Sequence, residues 1–292
     1  MDISGNSLAI NIVEEKSDNG NKQVKRAFKP KQPSEVDITI PTTSVNNQNT
    51  FAFIIGNEQY QRVSPVPFAQ NDAKIFGEYC HKTLGMPTQN VKKYENATYG
   101  TMIGIVSDMQ KIAKVYKGEV RMLFYYAGHG IPDEDSNDGY LLPIDADGMR
   151  TEVCYSLNRL YRELGELQAK SVVTFVDACF SGANRGNGMV VNARGIAIKV
   201  RNERPTGKTI VFTATSDKQT AYPYEEKGHG LFTYYLLKKL HDTKGMCSLG
   251  ELGDYICSEV GKQAVVNNGK EQSPTVNASA ELGEEWKSLK LK

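Results

Sequence analysis

The sequence lacks the features that would assign it to several broad classes of protein. No apolar run approaches the roughly 20 residues that a membrane-spanning helix needs. A formal net charge of +1 gives no overall attraction to nucleic acid or to an acidic surface. The first residues lack a basic region followed by an apolar stretch, which is the pattern of a secretory signal. We therefore expect a cytoplasmic chain with neither a membrane nor a nucleic-acid partner.

Cysteine and histidine are also scarce, and they are scattered. There are five cysteines and four histidines, and no C-x-x-C pair occurs. An odd and dispersed set of cysteines favours neither a disulfide framework nor a structural zinc site. One functional thiol among buried structural ones explains the set better. The cysteines are Cys80, Cys154, Cys179, Cys247 and Cys257.

Two regions of different composition follow one another along the chain. Residues 1–49 are rich in Asn, Ser, Lys and Pro and predict a flexible or loosely docked extension, with one added strand around residues 36–40. At 39% hydrophobic and 24% charged residues, the whole chain has the composition of a globular protein. We expect residues 50–292 to form the folded domain.

Within that domain, short apolar runs alternate with helical patterns. Continuous apolar runs predict buried strands, and apolar residues that recur every three or four positions predict helices. This alternation indicates an α/β fold with a mostly parallel sheet and helices on both faces. The predicted strands are residues 51–56, 90–94, 120–128, 171–178 and 209–215. The predicted helices are residues 71–84, 98–116, 155–169, 231–240 and 249–265, the second with an apolar face of Ile103, Val106, Met109, Ile112 and Val115.

The carboxyl ends of two predicted strands carry reactive side chains. In a sheet of this kind the active site lies beyond these ends. His129 stands between two glycines after one strand, and Cys179 follows Asp177 after another. A thiolate needs a nearby base, and a Cys–His pair is the minimal set for nucleophilic acyl transfer. Taken singly, His129 could be a packed strand-end residue and Cys179 a buried structural cysteine.

Several motifs, in a consistent order, resemble the caspase-like cysteine peptidases of clan CD, which include caspases, metacaspases and paracaspases. They are FIIGNEQY, QNDA, YYAGHG, DGYLLPID, DACFSG and FTATSDKQTA with GHGLFTYYLL, and the resemblance covers roughly residues 51–282. The histidine precedes the cysteine by 50 residues, a spacing similar to that of caspases. The DACFSG motif departs from the caspase Q-A-C-x-G form and looks like the D-x-C form of bacterial-type metacaspases.

The resemblance implies a three-layer α/β sandwich with a six-stranded sheet, and a cysteine endopeptidase with a His–Cys dyad. His129 would act as the general base or as the imidazolium partner of the thiolate. Cys179 would attack the peptide carbonyl, and the backbone N–H groups of Gly130 and Cys179 would form the oxyanion hole. No third catalytic residue and no cofactor are expected.

The resemblance also bears on which peptide bond would be cut. In metacaspases and paracaspases, the acidic residues that match Asp72 and Asp177 line the pocket for the side chain before the cut. Carboxylates in that pocket predict a polypeptide substrate with Arg or Lys at this position, not Asp. Ser216 and Asp217 are weaker candidates for the same pocket. Asp72 could instead cap the helix that follows it, and Asp177 could bond a neighbouring strand end.

One segment, residues 180–207, is unusually long for a loop, rich in Gly and Asn, and basic. In caspase-like enzymes it joins a large-subunit-like part, here residues 50–184, to a small-subunit-like part, here residues 208–292. An Arg/Lys-specific enzyme is expected to cut itself in this loop, and a solvated surface loop is the alternative. The basic residues are Arg185, Arg194, Lys199, Arg201 and Arg204. The extension, a candidate pro-segment, could be removed in the same way or could occlude the site.

Metacaspases often require calcium, and an acidic stretch follows His129 at residues 132–138, with Asp145 and Asp147 beyond it. The stretch lacks EF-hand spacing, and TEVCYS replaces the paired acidic residues expected further on. We interpret it as a solvated loop and do not favour a calcium site.

Two rival functions are a catalytically silent caspase-like interaction module and a cysteine hydrolase of small molecules. The latter would enclose its ligand, whereas a peptidase would offer an open groove.

Overall fold

The structure is a computed structural model that describes residues 10–13, 25–28, 32–133, 135–180, 204–216 and 219–292, with only the backbone of the first two ranges. Arg204 is exposed at the start of one of these ranges. The remaining predicted cut sites of the basic loop lie outside the described residues, as does the pocket candidate Asp217. They are Arg185, Arg194, Lys199 and Arg201. The side chains of the extension's basic residues between 22 and 31 are likewise outside the described part.

The strands and helices predicted within residues 50–292 all occur, with bounds that differ by a few residues. The strands are β1 (Ile10–Val13), β2 (Lys25–Phe28), β3 (Thr50–Gly56), β4 (Val91–Glu95), β5 (Arg121–Ala127), β6 (Gly130–Pro132), β7 (Gly139–Leu141), β8 (Tyr155–Ser156), β9 (Ser171–Asp177), β10 (Thr209–Thr213), β11 (Pro223–Tyr224), β12 (His229–Gly230) and β13 (Thr275–Ala278). The helices are α1 (Glu35–Ile38), α2 (Ala69–Lys82), α3 (Tyr99–Tyr116), α4 (Leu157–Gly165), α5 (Leu231–Asp242) and α6 (Leu249–Asn268).

A six-stranded sheet organises the domain, in the order β13-β10-β9-β5-β3-β4. The pairs β10–β9, β9–β5, β5–β3 and β3–β4 are parallel, and β13 pairs with β10 in the antiparallel direction. This confirms the mostly parallel six-stranded sheet. The residues of β13 had not been predicted as a strand, because TVNA is short and carries little apolar pattern. The central strands β3, β5 and β9 are apolar almost throughout, since helices cover both of their faces.

Side chains that alternate along the strands divide the core into two layers. Ile54 and Tyr125 belong to the layer that packs against α2, α5 and α6. Phe53 and Phe124, their immediate neighbours in sequence, belong to the layer that packs against α3 and α4. The three-layer arrangement is therefore confirmed. No helix in the described ranges is both long and apolar enough to cross a membrane.

The apolar face predicted for α3 is wrong in part. Val106 and Met109 are buried as expected, but Val115 is 74% exposed and Ile103 is 37% exposed. The residues buried in their place are Met102, Ile105 and Ala113. The helix YGTMIGIVSDMQKIAKVY has apolar residues on much of its circumference. Its orientation on the sheet, and not the sequence pattern, decides which side is covered.

The strand predicted around residues 36–40 is also wrong, because this segment forms the short helix α1. Ser34 and Asp37 make a capping box, in which the Asp37 carboxylate accepts from the N–H of Ser34 at 2.7 Å. Val36 is fully buried in the core. Further along, Asn47 bonds Leu84 O and Gly85 O at the end of the α2 segment. The described part of the extension from Ser34 onwards thus packs against the domain.

Candidate active site

His129 and Cys179 follow neighbouring strands that are in register. Ala127 at the end of β5 pairs with Asp177 at the end of β9, and Gly128 N–H donates to Asp177 O at 3.2 Å. Each candidate catalytic residue lies two positions beyond this pair. Parallel strands that end together deliver their next residues to one edge of the sheet. The structure therefore brings His129 and Cys179 to the same place, as the sequence predicts.

The imidazole of His129 is held by a backbone carbonyl. Its Nε2 lies 2.8 Å from Ser64 O, and its ring lies 4.8 Å from that of Tyr60, centroid to centroid. A carbonyl oxygen can only accept, so Nε2 carries a proton, and the basic lone pair of the neutral ring belongs to Nδ1. The N–H of His129 also donates to the Tyr60 hydroxyl at 2.8 Å. These contacts fix the tautomer that a general base requires.

Ser64 O is a functional group that sequence reasoning missed. The sequence predicts no third residue that would orient the histidine, and the structure supplies a main-chain oxygen instead. Any residue type can present such an oxygen, so no sequence signal could have identified it. The loop between β3 and α2 delivers this group, and it also contains Tyr60.

Cys179 differs from the other four cysteines in its position and surroundings. None of the five forms a disulfide. Burial raises the pKa of the other four thiols, to about 12 for Cys154, and keeps them protonated at neutral pH. Cys80 and Cys257 lie on α2 and α6, Cys247 lies in the segment between α5 and α6, and Cys154 lies beside the small β6–β8 sheet. Cys179 is therefore the thiol that the fold sets beside a histidine.

Gly130 has no room for a side chain. A Cβ there would lie 2.4 Å from the ring of Phe180 and 2.8 Å from Cys179 O. The backbone that follows His129 is thereby held directly against the backbone that follows Cys179. This close approach is what an oxyanion hole made from main-chain N–H groups of Gly130 and Cys179 requires.

The two candidate pocket carboxylates converge on Gly230. A Cβ built on Gly230 would lie 2.4 Å from Asp177 Oδ2 and 3.2 Å from Asp72 Oδ2. Both aspartates are only 2% exposed. Asp177 is the last residue of β9, and Asp72 lies in the first turn of α2, so two separate elements deliver them. The structure thus groups the predicted acidic residues at one point beside the strand ends.

Hydrogen bonds exclude the simple capping role for Asp72. The N-cap residue Phe68 makes no side-chain cap, and in the first turn of α2 Gln70 N–H donates to the Glu58 carboxylate at 3.1 Å. Asp72 Oδ1 lies 2.7 Å from His229 Nδ1, and Asp72 Oδ2 accepts from Gly230 N–H at 2.9 Å. Asp177 Oδ2 accepts from the Thr233 hydroxyl at 2.7 Å, so its side chain bonds α5. Both aspartates are therefore held from the small-subunit-like part of the chain.

His229 is a further residue of this site that sequence reasoning did not single out. It is fully buried, and its Nε2 lies 3.0 Å from Asp37 Oδ1 in α1. Burial alone would lower the pKa of His229, but hydrogen bonds and the charges of Asp37 and Asp72 raise it from 6.5 to about 9. Burial, with the nearby charge of Asp177, raises the pKa of Asp72 to about 6 despite its bond to His229. At neutral pH the pair is an imidazolium and a carboxylate.

This ion pair predicts a pH-dependent stability. Because the folded-state pKa of His229 is raised, its contribution is fully present below about pH 6.5 and is lost as the pH rises through about 9. The loss in the free energy of unfolding should be on the order of 3 kcal/mol. Urea unfolding of the wild type at pH 6.5, 7.5 and 9 is expected to show this decline, whereas His229→Asn should show a nearly flat profile over the same range. Equal slopes for the two proteins would contradict the assignment.

Ser216 lies on the other side of Cys179 from His129. Thr213 of β10 pairs with Val176 of β9, and the Thr215 hydroxyl reaches Ala178 O at 3.5 Å. The same register sets Ser216 opposite Cys179. Its hydroxyl is 3.4 Å from the side-chain oxygen of Gln219, and the structure shows no bond from it to Asp72 or Asp177.

Several carboxylates of the acidic loop after β6 and of the segment beyond it accept from protein donors. Asp133 accepts from two backbone N–H groups and from Thr151, while Asp138 accepts from Asn158. Asp145 accepts from Tyr99 N–H, and Asp147 pairs with Arg62 and Arg150. Across the described ranges, no three or more His, Cys, Asp or Glu side chains converge in a way that could hold a metal ion. Asp133, Asp138, Asp145 and Asp147 are thus directed to separate protein donors.

The sequence matches the Caspase domain family over residues 49–282. The chain belongs to the caspase family. Its structure is similar to caspase-1 from Spodoptera frugiperda, with a TM-score of 0.57 and 14% identity over 86% of this chain and 94% of that one. It is also similar to a Geobacter sulfurreducens protein, with a TM-score of 0.58 and 16% identity over 79% and 93% of the two chains. No curated protein matches the sequence.

As a caspase-family member, the chain has a cysteine-peptidase fold, and the family implies polypeptide substrates. The structural likeness, at these identities, shows a shared fold. The metacaspase branch, the catalytic roles of His129 and Cys179 and the pocket roles of Asp72 and Asp177 stay predictions at this point.

Proposed function

We propose that this protein is a cysteine endopeptidase of metacaspase-like type, in which His129 and Cys179 hydrolyse peptide bonds after Arg or Lys. The observation that carries the proposal is the convergence of two buried carboxylates, Asp72 and Asp177, on Gly230 at the same sheet edge as the dyad. A buried carboxylate pair is costly unless its charge is used. A cationic substrate side chain would use it.

In the acylation step, His129 Nδ1 takes the proton from Cys179 Sγ, and the thiolate attacks the carbonyl carbon of the peptide bond. The carbonyl oxygen becomes an oxyanion, which accepts from the backbone N–H groups of Gly130 and Cys179. Each donor of this kind commonly stabilises the transition state by about 3 kcal/mol. The Nδ1 proton then passes to the leaving nitrogen, the C–N bond breaks and a thioester forms. Ser64 O keeps the ring oriented throughout.

In the deacylation step, His129 Nδ1 takes a proton from water, and the hydroxide attacks the thioester carbonyl. The C–S bond breaks, the carboxylic acid leaves and the thiol of Cys179 regains its proton. All groups that the reaction needs belong to the protein or to water. The cycle therefore uses one base, one nucleophile and one oxyanion hole.

The charge around the pocket supports a basic side chain before the cut. Asp37 and Asp72 contact the single imidazolium of His229, and Asp177 adds a third carboxyl group beside Gly230, so acidic side chains outnumber basic ones at this point. An Asp side chain would be repelled there, whereas a guanidinium or an ammonium would be attracted. Arg can bond a carboxylate with two parallel N–H groups, which favours it over Lys.

Self-cleavage in the loop of residues 180–207 is part of the proposal. In the uncut chain His129 is 1% exposed and Cys179 is 2% exposed, so a substrate needs a rearrangement to reach them. Phe180, which begins the loop, packs against Gly130 beside the nucleophile. A cut after one of the loop's basic residues would release the chain that follows Phe180. Arg204, exposed at the other end, is a candidate cut site.

The substrate preference predicts a clear order in a panel of fluorogenic peptides that differ only in the residue before the reporter group. The Arg peptide should be cleaved fastest and the Lys peptide next. The Asp peptide should be cleaved at least about a hundredfold more slowly than the Arg peptide, because repulsion replaces one favourable ion pair. The panel is run with the wild-type chain and with Cys179→Ala. Faster cleavage after Asp would refute the pocket assignment. Cleavage that survives in Cys179→Ala would refute the mechanism, and labelling of Cys179 without cleavage of any peptide would favour the silent interaction module.

A further inference from the structure

A chain of buried hydrogen bonds links α1 to the pocket. Asp37 Oδ1 lies 3.0 Å from His229 Nε2, and His229 Nδ1 lies 2.7 Å from Asp72 Oδ1. Asp72 Oδ2 in turn accepts from Gly230 N–H at 2.9 Å, at the point where Asp177 also converges. The side chain of Asp37 is 10% exposed and that of Asp72 is 3% exposed, while His229 is fully buried. Neither Asp37 nor His229 has a role in the proposed reaction steps.

The Asp37 end of this series of hydrogen bonds is held in place by contacts of α1 with the rest of the domain. Val36 is buried, and its carbonyl accepts from the Tyr79 hydroxyl at 3.0 Å. Glu35 accepts from Lys227 at 2.9 Å and from the Tyr234 hydroxyl. These contacts tie α1 both to α2, which carries Asp72, and to the segment that carries His229. Asp37 is therefore a fixed point against which the His229 ring can be oriented.

The orientation of Asp72 needs such support. Asp72 and Asp177 are two like charges directed at one small volume, and mutual repulsion alone would turn Asp72 away or neutralise it. A histidine between two carboxylates donates with both ring nitrogens only when it is protonated. In that state it holds Asp72 from one side and is held by Asp37 from the other.

We infer that His229 and Asp37 are positioning residues of the substrate pocket, which keep the Asp72 carboxylate directed at the basic side chain of the substrate. The inference rests on the proposed function, since it assumes that Asp72 and Asp177 receive that side chain. It also makes α1 a part of the binding site, although α1 precedes the caspase-family match at residue 49. Loss of the His229 contact should weaken substrate binding and leave the dyad intact.

Two replacements of His229 each keep one of its two hydrogen bonds and remove the other. In His229→Asn the amide nitrogen occupies the region of Nδ1 and can still donate to Asp72. In His229→Gln the amide nitrogen occupies the region of Nε2 and can reach Asp37, but the bond to Asp72 is lost. Asp37→Asn keeps an acceptor for the ring and removes the charge. His241→Gln is the matched control, because His241 contacts Thr39 next to α1 but no pocket carboxylate.

The variants are compared, as full chains, by KM and kcat on an Arg peptide and by the Kd of benzamidine, a mimic of the Arg side chain. His229→Gln is expected to raise KM and the benzamidine Kd by about tenfold or more, as the loss of one charge-assisted hydrogen bond would. His229→Asn and Asp37→Asn should raise them by only about threefold, since the bond to Asp72 is kept. In the His229 and Asp37 variants, kcat and the rate at which iodoacetamide alkylates Cys179 should stay near the wild-type values. For His241→Gln, every measured value should stay near wild type.

The outcomes separate this inference from the function on which it rests. Suppose that the wild type cleaves after Arg but that His229→Gln, His229→Asn and Asp37→Asn all have the KM and the benzamidine Kd of the wild type. In that case His229 does not position Asp72, and the inference alone fails. A fall in kcat without a change in KM or Kd would also overturn it. If the wild type neither cleaves after Arg or Lys nor binds benzamidine, the pocket itself is wrong and both proposals fail.

Discussion

Replacement of Cys179 by alanine is expected to lower kcat/KM on an Arg peptide by at least about a thousandfold. The variant loses the only thiol that the fold sets beside His129, and without it no thioester can form. The dyad works as a unit, so His129→Ala should be nearly as inactive, and the double variant little worse than either. Initial rates on the fluorogenic Arg peptide measure the effect.

Cys257→Ala is the matched control for this result. Cys257 is a partly buried thiol of α6 whose Sγ contacts Pro274 O and not a histidine. Its replacement should leave kcat/KM unchanged. The Cys179→Ala chain should also keep a cooperative thermal transition, because only one buried sulfur is removed. If Cys179→Ala retained more than about 1% of the wild-type rate, Cys179 would not be the nucleophile.

The second large effect is expected for Asp177→Asn, with a fall in kcat/KM on Arg peptides of roughly a hundredfold to a thousandfold. Loss of one partner of a buried charge pair costs about 2–5 kcal/mol, and 1.4 kcal/mol corresponds to a factor of ten. Asparagine has the same shape and keeps an acceptor for the Thr233 hydroxyl, so the change removes charge and little else. Rates on matched Arg and uncharged peptides measure the loss of selectivity.

Asp108→Asn serves as the control for removal of one negative charge. Asp108 lies on α3 and pairs with Lys111 at an exposed position of the other helical layer. Its replacement should change neither rate nor selectivity. If Asp177→Asn lowered the rates on Arg and uncharged peptides equally, Asp177 would act on the dyad or on folding and not on the recognition of a basic side chain.

The fold class and the position of the dyad could be predicted because their signals are local. Each buried strand is a short apolar run, and each candidate catalytic residue follows one directly, as His129 follows β5. The strand and helix assignments needed only the spacing of apolar residues. The sixth strand, β13, carries a weak pattern, and only the family resemblance had implied it.

Other features could not be predicted because they depend on what lies across the fold. The covered side of α3 is chosen by the sheet, so Val115 is exposed although it fits the apolar spacing. The segment of α1 reads as a strand in isolation, yet its capping box and the burial of Val36 make it a helix. Ser64 O, a main-chain atom, orients His129, and the sequence cannot predict this contact because every residue type carries a carbonyl oxygen.

The sequence by itself determined that a histidine and a cysteine stand at the ends of two buried strands, with an aspartate two residues before the cysteine. That much follows from the order of residues along each strand. Only the tertiary structure decided how the dyad's surroundings are built. His229 meets Asp72 across 157 residues and Asp37 across 192, and no local pattern records contacts over such separations. The sequences of the two strands therefore predict the position of the dyad, whereas the pocket beside it forms only when α1, α2 and α5 pack together.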